Sequence, residues 1–164
     1  MAKLELAEYN ASWTERFSVE AEQIKGALGD LVVQVEHVGS TSVPALAAKP
    51  TVDIAVGATT IELPRAAVRR MEEVGFEHAD HPERPWVRNF RKGPTFPREV
   101  IVHVVEWGGP HWHAYLRFRD ALRSDPELAA EYEQLKRRLL RERSEWYSGR
   151  DKEHLIGRIL RGSA

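Results

Sequence analysis

The sequence predicts an α+β domain in which helices flank a mixed β-sheet and the C-terminal third is helical. Three observations carry this. Runs rich in β-branched residues at Leu31 to Val38, Thr51 to Val56 and Glu99 to Glu106 read as strands. Apolar stripes at helical spacing precede the first run and separate the later ones. After Gly108, Gly109 and Pro110 the pattern is helical to the end. At 164 residues, with no internal repeat or long linker, one domain over residues 1–164 is expected.

Taken in order, Lys3 to Tyr9 suits a short edge strand. Ser12 and Glu15 stand at capping-box spacing ahead of Trp13, Phe17, Ala21, Ile24 and Leu28, which predicts a helix closed by Gly29 and Asp30. The strand Leu31 to Val38 follows, then the polar loop Gly39-Ser40-Thr41-Ser42, then the strand Thr51 to Val56. Alternation puts Val52, Ile54 and Val56 on one face of that strand and Thr51, Asp53 and Ala55 on the other, so Asp53 faces away from the aliphatic side. Thr59 and Glu62 repeat the capping-box spacing before Leu63, Ala67, Met71 and Val74, a second helix ended by Gly75. Trp86 to Arg91 reads as a strand between proline-bearing loops. Glu99 to Glu106, EVIVHVVE, is apolar on both faces except at His103, the pattern of a central strand. His111 to Arg123 is a helix. Asp125 caps the next, with Pro126 at its first position and Leu128, Tyr132, Leu135 and Leu139 along one side. A last helix runs from about Arg150 to Arg161.

Composition removes several function classes. Lys and Arg number 24 against 25 Asp and Glu, a formal charge of -1, so there is no general footprint for nucleic acid or an anionic membrane and any basic site is local. With no cysteine there is no disulfide framework, thiol nucleophile or thiolate-bound metal. The start, MAKLELAEYNASW, carries carboxylates where a signal peptide needs an apolar core, and no apolar run approaches ~18 residues. The expected location is therefore the cytoplasm, with no membrane as partner.

The chemistry is concentrated in Val35 to Val56, VEHVGSTSVPALAAKPTVDIAV. The first strand delivers His37 and Val38 to a loop whose Gly39 can take backbone angles closed to other residues, and the hydroxyls of Ser40, Thr41 and Ser42 can face an oxyanion. The next strand returns Asp53 to the same neighbourhood. The loop has neither the Gly-x-x-x-x-Gly-Lys-Ser/Thr of a P-loop nor the Gly-x-Gly-x-x-Gly of a dinucleotide fold, so neither mechanism applies. On local sequence alone, a hydrogen-bonded turn between strands is an equal account.

This stretch resembles the signature of the GrpB-like family, a branch of the nucleotidyltransferase fold. Its members share His-aliphatic-Gly-Ser-Thr, then Val-Pro-Gly-Leu-Ala-Ala-Lys-Pro, then aliphatic-Asp-aliphatic. Phe90-Arg91-Lys92-Gly93, His103-Val104-Val105, Phe118-Arg119-Asp120 with Leu122-Arg123, and Tyr132 with Leu135-Lys136 extend the resemblance over nearly the whole chain. Two departures are visible. Ala45 stands where the family usually has Gly, and the spacing of Tyr147 and Lys152 does not follow the family pattern. The resemblance implies a nucleotidyltransferase-like fold with Gly39 and Ser40 on nucleotide phosphates and Asp53 on a divalent metal, with Mg²⁺ as the expected ion. It also exposes a gap, because Ala55 occupies the place of the second carboxylate in the Asp-x-Asp/Glu pair. Two closely spaced divalent ions need several oxygen ligands to offset their repulsion, and one Asp is a poor substitute.

Other residues offer themselves around this core. His103, flanked by valines, needs either a satisfied hydrogen bond or a ligand role beside Asp53. His37 could orient a hydroxyl, contact phosphate or act as a base. Lys49, whose exit Pro50 fixes, could neutralise phosphate or pair with Asp53. Arg91, grouped with Arg88 and Lys92, could clamp an anionic substrate or dress an exposed edge. Glu36 and Glu106 are candidate replacement carboxylates or solvated strand ends. A zinc trio of His103, His111 and His113 is a weak alternative, since residues two apart on a helix do not share a face. The run Lys136 to Arg143 reads as a solvated helix face, and Trp107, Trp112 and Trp146 as packing anchors.

Two functions are consistent with these residues. One is a metal-assisted nucleotidyltransferase-like protein acting on a nucleotide or another phosphorylated small molecule. In it Asp53, His37 and His103 are catalytic, Gly39, Ser40, Thr41, Ser42, Lys49 and Arg91 bind phosphate, and Asp53 with His103 holds Mg²⁺. The other is a binding module on the same fold that recognises an anionic small molecule without chemistry. The resemblance adds coenzyme A metabolism as a functional neighbourhood, because family members occur fused to a kinase of that pathway.

Overall fold

Five strands form one mixed sheet in the computed structural model, which describes residues 5–94, 98–142 and 149–162. β1 (Val32–Val38) pairs antiparallel with β2 (Val52–Ala58), and β2 pairs parallel with β5 (Val100–Glu106). β5 pairs antiparallel with β4 (Arg88–Lys92), which pairs antiparallel with β3 (Glu77–His78), so the order is β1-β2-β5-β4-β3. The two most valine-rich runs lie inside the sheet, as their near-continuous apolar patterns predict.

Helices α1 (Ser12–Leu28) and α2 (Arg65–Glu73) cover one face. There Trp13, Ile24, Leu28, Met71 and Phe76 pack on Val52, Ile54, Val56, Phe90 and Val102. Each such side chain contributes roughly 1.5–3 kcal/mol on burial. On the other face lies α3 (Pro110–Ser124), whose Trp112 packs on Val38, Ala55 and Val105. α4 (Pro126–Glu142) and α5 (Gly149–Gly162) pack beside α3, and their Tyr132, Leu155 and Ile159 join Val43 and Leu46 of the loop that follows β1. This is the α+β architecture that the sequence predicts. Among the described residues no helix is long and apolar enough to cross a membrane.

Local differences have local causes. Asn10, rather than Ser12, supplies the first acceptor of α1, its Oδ1 taking the Ser12 N–H at 2.9 Å. Thr60 Oγ1 takes the Glu62 N–H at 3.0 Å in a turn, and α2 begins only at Arg65. Pro64 disfavours helical angles at the residue before it, so Leu63 packs on the core from outside the helix. Asp125 Oδ1 does cap α4, accepting from the N–H groups of Glu127 and Leu128 at 3.1 Å. Of the predicted edge strand, Ala7 makes a single bridge to Ala48, and Lys3 lies outside the described residues. Trp107 is 48% exposed, yet its ring covers Gly57, where an added Cβ would lie 2.5 Å from Trp107 Cδ1. Trp146 lies outside the described residues.

Candidate functional site

Strand register decides which polar residues meet. Laterally paired residues share a face, so Val38, Asp53, Ile101 and Arg91 form one row on the α3 side and Glu36, Ala55, His103 and Asn89 form the next. Asp53 sits where β1 turns into the loop. Gly39 has φ 72°, and a Cβ placed there would lie 2.8 Å from Asp53 Oδ2. Glycine is needed twice over, for the left-handed angle and for the approach of the carboxylate.

The loop after Gly39 is pinned from two helices. From α3, Arg119 donates to Glu36 Oε2 at 2.7 Å and to the His37 carbonyl at 3.2 Å, and Arg123 Nε donates to the Ser42 carbonyl at 2.9 Å. From α4, Glu133 Oε1 accepts the Ala47 N–H at 2.8 Å. The hydroxyls then divide. Thr41 is buried with its Oγ1 2.9 Å from His37 Nε2, and Ser42 Oγ donates to the Gly39 carbonyl at 2.5 Å. Ser40 Oγ instead accepts a hydrogen bond from Lys136 Nζ at 3.0 Å. The hydroxyls of Thr41 and Ser42 are thus engaged by His37 and the Gly39 carbonyl, whereas that of Ser40 meets a cation.

Lys136 is the residue that the sequence reading misplaced. It is 1% exposed, and its ammonium also donates to the Ala47 carbonyl at 2.8 Å and lies 4.9 Å from the centre of the Tyr132 ring. Burial, with the charge of Lys152 next, lowers its pKa to about 7. Lys152 Nζ approaches the same Tyr132 ring at 5.7 Å. Lys49 enters from the segment before β2, where burial and then Lys152 lower its pKa to about 7 while Asp53 opposes the shift. Of these lysines, Lys136 is the one in contact with the Gly39–Ser40 turn, and Lys152 lies beside Tyr132.

His103 lies between two side chains. Its Nε2 is 3.0 Å from Asp53 Oδ1 and its Nδ1 is 3.1 Å from Asn89 Oδ1, while Tyr115 of α3 stacks on the ring with centroids 5.0 Å apart. Asn89 Nδ2 is buried and has no hydrogen-bond partner among the described residues. A doubly protonated ring donates to both neighbours. If the amide is turned over, Nδ2–H donates to Nδ1 and a neutral ring donates to Asp53. Both ring nitrogens are engaged in either arrangement.

These residues do not fit a pair of divalent ions. One oxygen of Asp53 serves His103, both nitrogens of His103 are taken, Ala55 supplies no ligand, and neighbouring Glu36 is held by Arg119. No group of three His, Asp or Glu side chains able to hold a metal occurs among the described residues. The zinc trio does not assemble, because His111 stacks flat on Trp86 at 3.7 Å and His113 is exposed.

Over residues 3–161 the sequence matches the GrpB protein family. The chain belongs to the GrpB family. It is similar to the UPF0157 protein SCO7215 of Streptomyces coelicolor, 42% identical over 135 residues, covering 82% of this chain and 69% of that one. A UPF0157 protein of Deinococcus radiodurans is 34% identical over 159 residues, covering 93% and 78%. The UPF0157 protein YqkA of Bacillus subtilis is 36% identical over 137 residues, which is 84% of this chain but 40% of the length of YqkA. The crystal structure of the conserved protein GrpB from Enterococcus faecalis superposes with a TM-score of 0.87 at 33% identity, covering 96% of each chain.

The departure at Ala45 from the GrpB pattern has a structural consequence. Ala45 has φ 68°, the left-handed region where a Cβ costs roughly 1 kcal/mol relative to glycine. Tyr147 lies outside the described residues, whereas the ammonium of Lys152 lies 5.7 Å from the centre of the Tyr132 ring.

The remaining GrpB site candidates separate from Asp53. His37 pairs with Ile54, which places it on the opposite face from Asp53 and His103, stacked on Phe17 of α1 at 5.0 Å. Burial lowers its pKa to about 4, with Arg123 and Arg119 adding to the shift and Asp53 opposing it, so the ring is neutral at pH 7 and serves Thr41. Arg91 shares the row of Asp53 but donates two hydrogen bonds to Glu77, at 2.8 and 3.1 Å. Its neighbours Lys92 and Arg88 face Glu20 at 2.6 Å and Asp80 at 3.6 Å. This group is a paired edge. Sequence reasoning missed Asn89, Arg119, Arg123 and Lys136 as parts of the site. The available signal for Lys136 was its place four residues after Tyr132 and three before Leu139, on the apolar stripe of α4.

Proposed function

We propose that this protein binds a nucleotide or another phosphorylated small molecule at the Gly39–Ser40 turn, with phosphate oxygens received by Ser40 and the lysine side chains and Asp53 at the edge. The observation that carries this reading is the contact of Lys136 Nζ with Ser40 Oγ at 3.0 Å, which holds a buried ammonium against neutral acceptors beside a glycine turn. A buried cation with neutral hydrogen-bond partners is costly alone and gains from an incoming anion. The turn is also pre-shaped by Arg119, Arg123 and Glu133, so little ordering accompanies binding.

A second reading, transfer of a nucleotidyl or phosphoryl group, is favoured by the Asn89–His103–Asp53 chain, which fixes one carboxylate next to the turn. In that case Asp53 accepts the proton of the attacking hydroxyl and His103 positions it. Calorimetric titration with a panel of nucleotides and other phosphorylated compounds tests the first reading. Lys49→Ala should weaken the bound compound by about 1–3 kcal/mol. No heat with any phosphorylated compound would end this reading. Release of pyrophosphate from a nucleoside triphosphate, abolished in Asp53→Asn, would select the second.

A further inference from the structure

The carboxylate of Asp53 is half used within the chain. Its Oδ1 serves His103 at 3.0 Å, whereas Oδ2 lies against Gly39, where an added Cβ would come within 2.8 Å, and accepts no hydrogen bond from the described residues. A second polar atom close by is also unengaged. Tyr115 of α3 lays its ring on His103 with centroids 5.0 Å apart, so the imidazole that meets Asp53 also seats the phenol, and the Tyr115 hydroxyl makes no hydrogen bond among the described residues. Neither oxygen is sealed off. Asn89 Nδ2 is the only fully buried side-chain nitrogen or oxygen without a partner among the described residues, so Asp53 Oδ2 and Tyr115 Oη both open outward. The next turn of α3 fixes this arrangement, because His111 stacks flat on Trp86 at 3.7 Å and Val87 is buried with Val38, Ala55 and Trp112. Arg84 stands two residues before Trp86. Burial first, and then the charge of Asp53, push the pKa of Tyr115 up while Arg84 opposes the shift, so the phenol is a donor at neutral pH with one charge of each sign near it.

Whatever settles on Asp53 Oδ2 must bring a hydrogen. A phosphoryl oxygen would be repelled by the carboxylate, and an ammonium would suit Asp53 but meet the charge of Arg84. A hydroxyl is neutral and has both capacities that the two oxygens require: it donates to Oδ2 and accepts from Tyr115 Oη. We infer that the ligand of the Gly39–Ser40 turn is a phosphorylated alcohol, whose free hydroxyl is bound between Asp53 Oδ2 and Tyr115 Oη while its phosphoryl group lies at Ser40. This inference rests on the phosphate reading of the turn. Ser40 directly follows the glycine on which Oδ2 rests, so the two groups of such a ligand lie one residue apart. Tyr115 then determines specificity, because a compound without the hydroxyl leaves both oxygens unpaired.

The test is calorimetric titration of the full chain with two matched pairs of probes. Glycerol 3-phosphate is set against propyl phosphate, and adenosine 5′-monophosphate against its 2′,3′-dideoxy analogue. In at least one pair the hydroxylated compound should bind about tenfold or more tighter than its partner, and Tyr115→Phe should reduce that gap to about threefold or less. The substitution removes one oxygen and keeps the ring on His103, and it should leave the affinity of the compound without hydroxyls unchanged, which a general disturbance of the site would not. Asp53→Asn should narrow the same gap. Equal affinities within both pairs, or a gap that survives Tyr115→Phe, would overturn the inference and leave the phosphate reading standing. No binding of any of these probes would remove the phosphate reading and the inference with it.

Discussion

The two faces of the sheet come from the same strands and carry opposite chemistry. Beneath α1 and α2, Val52, Ile54, Val56, Val102 and Phe90 meet Ile24, Leu28, Met71 and Phe76, and the histidine that enters this side, His37, is kept neutral by burial. One residue along each strand, Asp53, His103 and Asn89 point the other way, into a partly open surface beside α3 where they bond to one another. Period-two alternation thus puts the aliphatic side chains and the Asp53–His103–Asn89 chain on opposite faces of the same strands. Substitutions in the aliphatic cluster should change folding, whereas those at Asp53 and His103 should change binding at the proposed site.

The largest test of that separation is Phe90→Ala. Phe90 is fully buried, and its loss should cost about 3–5 kcal/mol in urea denaturation while the folded fraction keeps whatever affinity for phosphorylated compounds the parent shows. A parallel loss of affinity would show that the faces are coupled.

Acid gives the next largest effect. The pKa of His37 is about 4 in the folded chain and 6.5 as an ordinary histidine, so the fold prefers the neutral ring. Its contribution is fully present above pH 6.5 and is lost as the pH falls through 4, a difference of about 3 kcal/mol. Denaturation curves across that range should be markedly flatter for His37→Asn than for the parent. Equal slopes would place the acid sensitivity elsewhere.

The smallest effect concerns the loop that joins the faces. Ala45→Gly should stabilise the protein by about 1 kcal/mol, read as a higher thermal midpoint, because it removes a Cβ from a left-handed residue. Any affinity for phosphorylated compounds should not change, since Ala45 is exposed and makes no part of the turn at Ser40. Destabilisation by this substitution would mean that the strain at Ala45 is offset by contacts of its methyl group.

Much of this was legible in the chain. The strands, the helical C-terminal third and the outward direction of Asp53 all follow from periodicities two to four residues long, which depend on local geometry. The capping boxes at Ser12 and Thr59 misled because proximate competitors, Asn10 and Pro64, decide where those helices begin. His37 and His103 looked equivalent as isolated polar residues in valine-rich strands. They differ in register: His37 aligns with Ile54 of the aliphatic face, whereas His103 aligns with Ala55 of the face that carries Asp53.

Gly39, Ser40 and Asp53 could be found from sequence, and so could the absence of a carboxylate at Ala55, because they lie in one strand-loop-strand segment. Asn89 beside His103, and Lys136 of α4 against the turn, were settled only when the sheet and helices assembled. Lys136 reads as a solvated cation in a basic run, and it is buried against Tyr132, Ser40 and the Ala47 carbonyl. Alternation is a property of neighbouring residues. The burial of a charge is set by groups nearly a hundred residues away, and no local pattern encodes it.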